Sequence, residues 1–361
     1  MMRAVVMLNH ELTVEDIPVP EPGPGEVLVK TLACGICGSD LHALKHTEKL
    51  VEVSERSNGV FNMDLSRGIV MGHEFCFEVV DHGPNTDRSL KAGTRAVSMP
   101  VLIRPTGVET VGYSNDNPGG YGEYMRLSEK LLIEVPNGLP TQKAALTEPM
   151  AVGLHAVEMA RMTQDDVPLV IGCGPVGLAV IASLRMKGVQ PIIAADFSPR
   201  RRQLAQAVGA DIVIDPAEQS PYTSWQEAAV WADPSTAPPQ PPWASGPPLR
   251  PAVIFECVGV PGVIDQIMAA APQGTRIVVV GVCMEKDSFE PMFGINKELN
   301  LQFVLGYSGE EYASTLRHIA EGQIITDPLI TGTVGIEGVA QAFKDLHSPE
   351  QHAKIIVEPW N

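Results

Sequence analysis

At 361 residues the chain is long enough for two domains with cores of their own, and 44% hydrophobic against 19% charged content is ordinary for a globular protein. Its 26 basic and 43 acidic residues leave a formal net charge of −17, which argues against nucleic acid or an anionic membrane as a partner, because phosphates would be repelled. The opening Met1-Met2-Arg3-Ala4-Val5 lacks the apolar run of a signal peptide, and no apolar stretch is long enough to span a bilayer, so the expectation is a soluble, cytoplasmic protein.

The first third reads as β-rich. Short runs at 27–29, 75–80, 94–98 and 121–127 are separated by Gly, Pro, Asp and Asn, and no helical period is sustained before about residue 142. Many short strands with frequent turn residues predict a barrel-like domain. Beyond Glu148 the pattern changes. A helix at 151–162 precedes an apolar strand at 168–171, a helix at 176–187, a strand at 191–195 ending at Asp196, a helix at 200–208 stopped by Gly209, and a strand at 211–214. The alternation resumes with a strand at 252–256, a helix at 262–270 and a strand at 276–280, which predicts βαβ units and a parallel sheet. Between them, 216–251 reads as a surface excursion. Its proline-rich core at 233–242 cannot be regular structure, because proline fixes φ and removes donors. The tail predicts a strand at 301–305, helices at 310–321 and 337–346, and a strand at 354–357 that returns to the first domain.

Gly172-Cys173-Gly174-Pro175-Val176-Gly177 joins a predicted strand to a predicted helix. In that setting Gly172 permits the tight turn, Gly174 lets the backbone approach a pyrophosphate, and Gly177 lets helix pack on strand. The pyrophosphate then meets free N–H groups at the start of the helix from Pro175. Asp196, at the end of the next strand, stands where a carboxylate binds ribose hydroxyls. It favours NAD over NADP, because a 2′-phosphate would be repelled, although Arg200, Arg201 and Arg202 follow closely.

Six cysteines, at 34, 37, 76, 173, 257 and 283, do not form a disulfide framework. Cys34 and Cys37 make a lone C-x-x-C without the βαβ surroundings of a redox pair. Cys37, His73 and either Glu74 or Glu148 offer thiolate, imidazole and carboxylate, the donors that hold catalytic zinc while leaving one position open. Ser39 and His42, close behind Cys37, supply a hydroxyl and an imidazole in series to carry a proton to solvent. Ser39 alternatively caps a short helix at 40–44. A Lewis acid in one half and a dinucleotide in the other point to alcohol–carbonyl oxidoreduction.

These stretches resemble the zinc-containing branch of the medium-chain dehydrogenase/reductase family. The likeness is carried by Pro22-Gly23-Pro24-Gly25-Glu26, by Cys34-Gly35-Ile36-Cys37-Gly38-Ser39-Asp40-Leu41-His42, by Gly72-His73-Glu74, by Gly119-Gly120-Tyr121-Gly122-Glu123-Tyr124 and by Glu148-Pro149-Met150. The last two are close in form to the polyol and threonine dehydrogenases. The resemblance implies a GroES-like barrel carrying the zinc (1–152, with 297–361 returning to it) and a Rossmann doubly wound parallel-sheet domain (153–296) bearing the proline-rich insertion near 233–251. It implies Cys37, His73 and Glu74 as ligands, with Glu148 alternating with Glu74 or bonded to the zinc water. Ser39 and His42 become the proton relay, Asp196 and Arg201 flank the adenosine ribose, and the chain pairs into a homodimer or homotetramer through the Rossmann sheet edge, near 276–303. Residues 77–172 hold no cysteine, so the second, structural zinc of many members is expected to be absent. The stretch 42–72 is long for the family, and its middle, 47–67, is expected to be a loop near the cleft mouth that shapes the substrate pocket. The rival readings are a metal-free NAD(P)H reductase of the same fold and a non-enzymatic NAD-binding protein.

Overall fold

The computed structural model describes residues 1–136, 138–240 and 245–361. It divides into two compact units, Met1–Pro149 with Ser308–Asn361, and Met150–Tyr307. The chain leaves the second unit after Tyr307 rather than at 297 because the strand Asn300–Phe303 pairs in parallel with Arg276–Val279 and so completes the second unit's sheet.

The first unit is organised on the strand Glu26–Gly35, which buries residues on both faces. It pairs antiparallel with Glu74–His82, Tyr124–Ser128 and Lys354–Val357 within a seven-stranded sheet. Val27, Val29, Phe75, Phe77, Met125 and Ile355 contribute to its core. Strand register decides which side chains meet at the end of this sheet. Gly35 stands opposite Glu74, Ile356 stands opposite Gly35, and the Ile36 N–H donates to Ile355 O at 3.0 Å. The residues just past Gly35 and those at the starts of two other strands therefore gather at one end of the sheet. Two helices occupy 38–57: Gly38–Lys45, foreseen only as the alternative of a short helix at 40–44 and capped by Cys37 rather than Ser39, and Thr47–Ser57, which was not expected and occupies much of the expected 47–67 loop. Each fully buries only two residues, Asp40 with Ala43 and Thr47 with Ser54, while Leu41, Leu44, Leu50 and Val51 pack half-buried against the core. A short hairpin, Val101–Arg104 with Gly107–Thr110, precedes the turn that carries Tyr113.

The second unit is a six-stranded sheet with parallel pairing throughout. Its spatial order is Ile212–Ile214, Ile193–Ala195, Val167–Ile171, Ala252–Glu256, Arg276–Val279 and Asn300–Phe303. Taken in chain order these are strands three, two, one, four, five and six of the unit, the doubly wound arrangement whose direction reverses beside the first strand. Part of the 216–251 excursion proves to be core. The helix Pro221–Ala228, capped by Ser220, buries Trp225, whose indole N–H donates to Val167 O at 2.9 Å. Truncating a tryptophan buried this way costs about 3–5 kcal/mol. The proline-rich stretch beyond it contains one short turn of helix at Pro234–Thr236, and residues 241–244 lie outside the described residues.

Candidate metal centre and nucleotide site

The register of the first unit brings three donors together. One ligand atom each from Cys37, His73 and Glu74 lie within 4.8 Å of one another. Ligands on a tetrahedron of zinc bonds stand about 3.5 Å apart, so sulfur, nitrogen and oxygen here need only a small contraction to share one ion. Cys37 is the N-cap of the helix Gly38–Lys45, with its N–H donating to Asp40 Oδ2 at 3.0 Å. His73 and Glu74 are consecutive, one before and one opening the strand Glu74–His82.

Asp40, fully buried, orients the centre. Its Oδ1 accepts from the Tyr113 hydroxyl at 2.8 Å and lies 3.3 Å from His73 Nδ1, and its Oδ2 accepts from the Tyr121 hydroxyl at 2.6 Å. Burial works against the Asp40 charge, but His73, Tyr121 and the Cys37 N–H outweigh it and hold the carboxyl below its ordinary pKa. Burial likewise opposes an imidazolium at His73, yet Asp40 raises its pKa well above the usual histidine value. Burial pushes the Tyr113 and Tyr121 hydroxyls well up, reinforced by the Asp40 charge, so both keep their protons. With Nδ1 turned to Asp40, His73 Nε2 is the nitrogen left for a metal, the usual division of labour in a carboxylate–histidine–metal arrangement.

Lys354 is one of the residues that sequence reasoning missed. Its Nζ, buried, donates to Glu74 Oε1 at 2.6 Å, to Glu74 Oε2 at 2.8 Å and to Ile36 O at 3.0 Å. Burial opposes the ammonium, but Glu74, with further pull from Cys37 and Glu148, holds its pKa above the ordinary lysine value. A side chain at Gly35 would collide with the Glu74 carboxylate, so this packing admits only glycine there. Glu148, buried in the first turn of the helix Thr147–Met159, is outside the three-donor cluster, although its charge acts on Lys354 and Tyr312.

Ser39 and His42 share the helix Gly38–Lys45. Ser39 Oγ lies 3.0 Å from the Tyr113 hydroxyl and 3.5 Å from His73 Nε2. Among the described residues no hydrogen bond joins Ser39 to His42. His42 is half-buried, and burial, then the charges of His46 and Lys45, lower its pKa below the usual value.

In the second unit Gly172 adopts φ +92° and Gly174 caps the helix Pro175–Met186, with Pro175 and Val176 opening its first turn. A Cβ on Gly177 would strike the Gly172 carbonyl oxygen, so only glycine lets this helix approach the loop. Asp196 locks the same loop: Oδ2 accepts from the Cys173 N–H at 2.8 Å and Oδ1 from the Ser198 N–H at 2.8 Å. Arg201 Nη1 stands 3.9 Å from Asp196 Oδ2, and its Nε is buried without a hydrogen-bond partner. A buried guanidinium donor left open beside a glycine loop and a helix N-terminus fits the anionic oxygens and ribose of a dinucleotide.

Two family models match the chain, one described as alcohol dehydrogenase GroES-like domain over residues 23–137 and one as zinc-binding dehydrogenase over residues 175–321. The (R,R)-butanediol dehydrogenase of Bacillus subtilis (strain 168) is 30% identical over 362 residues, which cover 97% of each chain. Sorbitol dehydrogenase of Bos taurus is 27% identical over 346 residues, 92% of this chain and 89% of its own. The crystal structure of 2R,3R-butanediol dehydrogenase from Bacillus subtilis aligns with a TM-score of 0.81 and 28% identity, over 99% of this chain and 100% of that one. The chain therefore belongs to the zinc-containing medium-chain dehydrogenase/reductase family, and it is an oxidoreductase of the zinc-dependent alcohol and polyol dehydrogenase type.

Proposed function

We propose that this enzyme oxidises the secondary alcohol of a small vicinal diol or polyol to the ketone with NAD, or runs the reverse reduction, using one zinc held by Cys37, His73 and Glu74. The observation that carries the reading is the convergence of those three donors within 4.8 Å, in a chain whose second unit presents a glycine loop and an open Arg201 Nε. Glu74 is favoured over Glu148 as third ligand because it alone of the two belongs to that cluster. NAD is favoured over NADP because Asp196 closes the second strand beside the loop, with Arg201 flanking the ribose position. The substrate class is that of the diols and polyols in the names of the relatives.

Zinc, when bound, supplies a Lewis acid that makes an alcohol hydroxyl a readier proton donor. The dinucleotide, when bound, supplies the hydride acceptor, so secondary alcohol and NAD⁺ become ketone, NADH and one proton. The chain's own residues handle that proton. Ser39 accepts it beside His73 Nε2, and His42, neutral at ordinary pH, receives it toward solvent. Lys354 balances the Glu74 charge so that the buried carboxylate is tolerated. The cytoplasm is proposed as the compartment, in keeping with cysteines that are all free. A homodimer is proposed through the exposed edge strand Asn300–Phe303.

Metal analysis of the purified protein tests the centre. About one zinc per chain is expected, and Cys37→Ala and His73→Ala should lose both zinc and diol oxidation while keeping a cooperative unfolding transition. Normal turnover by both variants would end the metal reading. A panel of 2,3-butanediol isomers, sorbitol and erythritol, each with NAD and with NADP, tests substrate and cofactor. Oxidation of primary alcohols alone would overturn the diol assignment.

A further inference from the structure

The hydroxyl of Ser39 is held by a residue that neither the motifs nor the relatives' names bring forward. Tyr113 arrives from the turn after the hairpin Val101–Arg104/Gly107–Thr110, packs edge-on against Phe61 at 5.3 Å between ring centroids, and sits 5.4 Å from the His73 ring. Its hydroxyl makes two contacts, with Asp40 Oδ1 at 2.8 Å and with Ser39 Oγ at 3.0 Å. A tyrosine has one hydrogen to give, and an ionised carboxylate only accepts. The Tyr113 hydrogen is therefore committed to Asp40, and the contact with Ser39 must run the other way: Ser39 donates and the Tyr113 oxygen accepts. The Ser39 hydrogen is thereby drawn off its other neighbour, His73 Nε2 at 3.5 Å, and only oxygen lone pairs face that side. We propose that Tyr113 is a positioning residue for the proton relay: at rest it holds the Ser39 hydrogen and leaves the Ser39 lone pairs to accept from the substrate hydroxyl, and as that proton arrives Ser39 releases its own hydrogen from Tyr113 toward His42. This rests on the reading of Ser39 as the first relay group. Tyr121 supplies an internal control, because it also donates to Asp40, at Oδ2, but makes no contact with Ser39.

The test sets Tyr113→Phe against Tyr121→Phe and Ser39→Ala. Phenylalanine keeps the ring packing of Tyr113 and removes only the oxygen. In a crystal structure of zinc-loaded Tyr113→Phe, Ser39 should leave its present rotamer, whereas in Tyr121→Phe it should stay. With the fastest diol of the panel, kcat/KM should fall about tenfold to a hundredfold in Tyr113→Phe, with KM for NAD and zinc content unchanged, and by less than about threefold in Tyr121→Phe. Tyr113→Phe introduced into Ser39→Ala should add no further loss, since the group it positions is gone. Equal losses in the two tyrosine variants would locate the effect at Asp40 and overturn the proposal. So would an unmoved Ser39 rotamer, or a full additional loss on top of Ser39→Ala. Wild-type turnover by Ser39→Ala would overturn the relay reading itself, and the role of Tyr113 with it.

Discussion

His42 shows how one side chain's surroundings set a measurable property. Burial, followed by the nearby His46 and Lys45 charges, pushes its pKa below the ordinary value, so the neutral imidazole persists to lower pH than in a free peptide. A neutral His42 can take up the relay proton and a charged one cannot. Diol oxidation is therefore expected to hold through neutrality and to fall as pH drops through a value below about 6.5, an acid limb missing from His42→Ala, which should run about tenfold slower at neutral pH. Profiles of kcat/KM from about pH 5 to about 9 check this, and a limb that survives in His42→Ala would assign it to another group. At this scale the sequence was partly legible. Cys37, Ser39, His42, His73 and Glu74 stood out because few residue types bind metal or move protons, and they recur at short spacing. Lys354 and Tyr113 left no such trace, and Tyr121 stood in the Gly119–Tyr124 motif without a role of its own. Their partners lie 280, 73 and 81 positions away, and only strand register brings them home. The one available hint was a lysine opening an otherwise apolar final strand, a charge that is rarely buried without a partner.

Among the elements, the helix Pro175–Met186 illustrates how one hydrogen atom's worth of space decides a site. Gly177 has no room for a Cβ against the Gly172 carbonyl oxygen, so Gly177→Ala must push the helix off the loop or twist the turn. Both withdraw N–H groups from the pyrophosphate position. Calorimetric titration should show NAD affinity falling at least about tenfold in Gly177→Ala, while zinc content stays at the wild-type level because the donors belong to the other unit. Unchanged NAD affinity would mean that the dinucleotide binds elsewhere. The alternating strands and helices of this unit were readable because buried parallel strands are continuous apolar runs bounded by turn residues. The helix Gly38–Lys45 was foreseen only as an alternative, at 40–44, and the helix Thr47–Ser57 was not, its apolar contribution being confined to the half-buried Leu50 and Val51. The helix Pro221–Ala228 hid behind the neighbouring proline-rich stretch, although its one tryptophan marked a buried element.

For the molecule as a whole, the six-stranded sheet ends in a strand with one neighbour and an apolar margin. Phe303 is 60% exposed and Leu305 84%. An unpaired edge with large apolar side chains is a template for pairing with a second copy, and a two-fold arrangement of such edges closes upon itself. Leu305→Asp should convert the proposed dimer to monomer in sedimentation velocity at micromolar protein, with zinc content preserved. A wild-type chain that sediments as a monomer would refute the interface directly. The division of labour between a β-rich unit and a doubly wound unit was legible from the change of period near Glu148. The return point was not, because the strand Asn300–Phe303 reads the same whether it finishes one sheet or begins another.

The pairing of Lys354 with Glu74 also bears on how the protein is made. All three candidate donors lie at or before Glu74, but the cation that offsets one of them follows it by 280 positions. Until that strand docks, Glu74 lacks the ammonium that offsets its charge, and an unpaired carboxylate is costly to bury. Assembly of the proposed centre is thereby coupled to docking of the strand Lys354–Val357, so a chain truncated just before that strand should capture zinc more weakly than one that carries it.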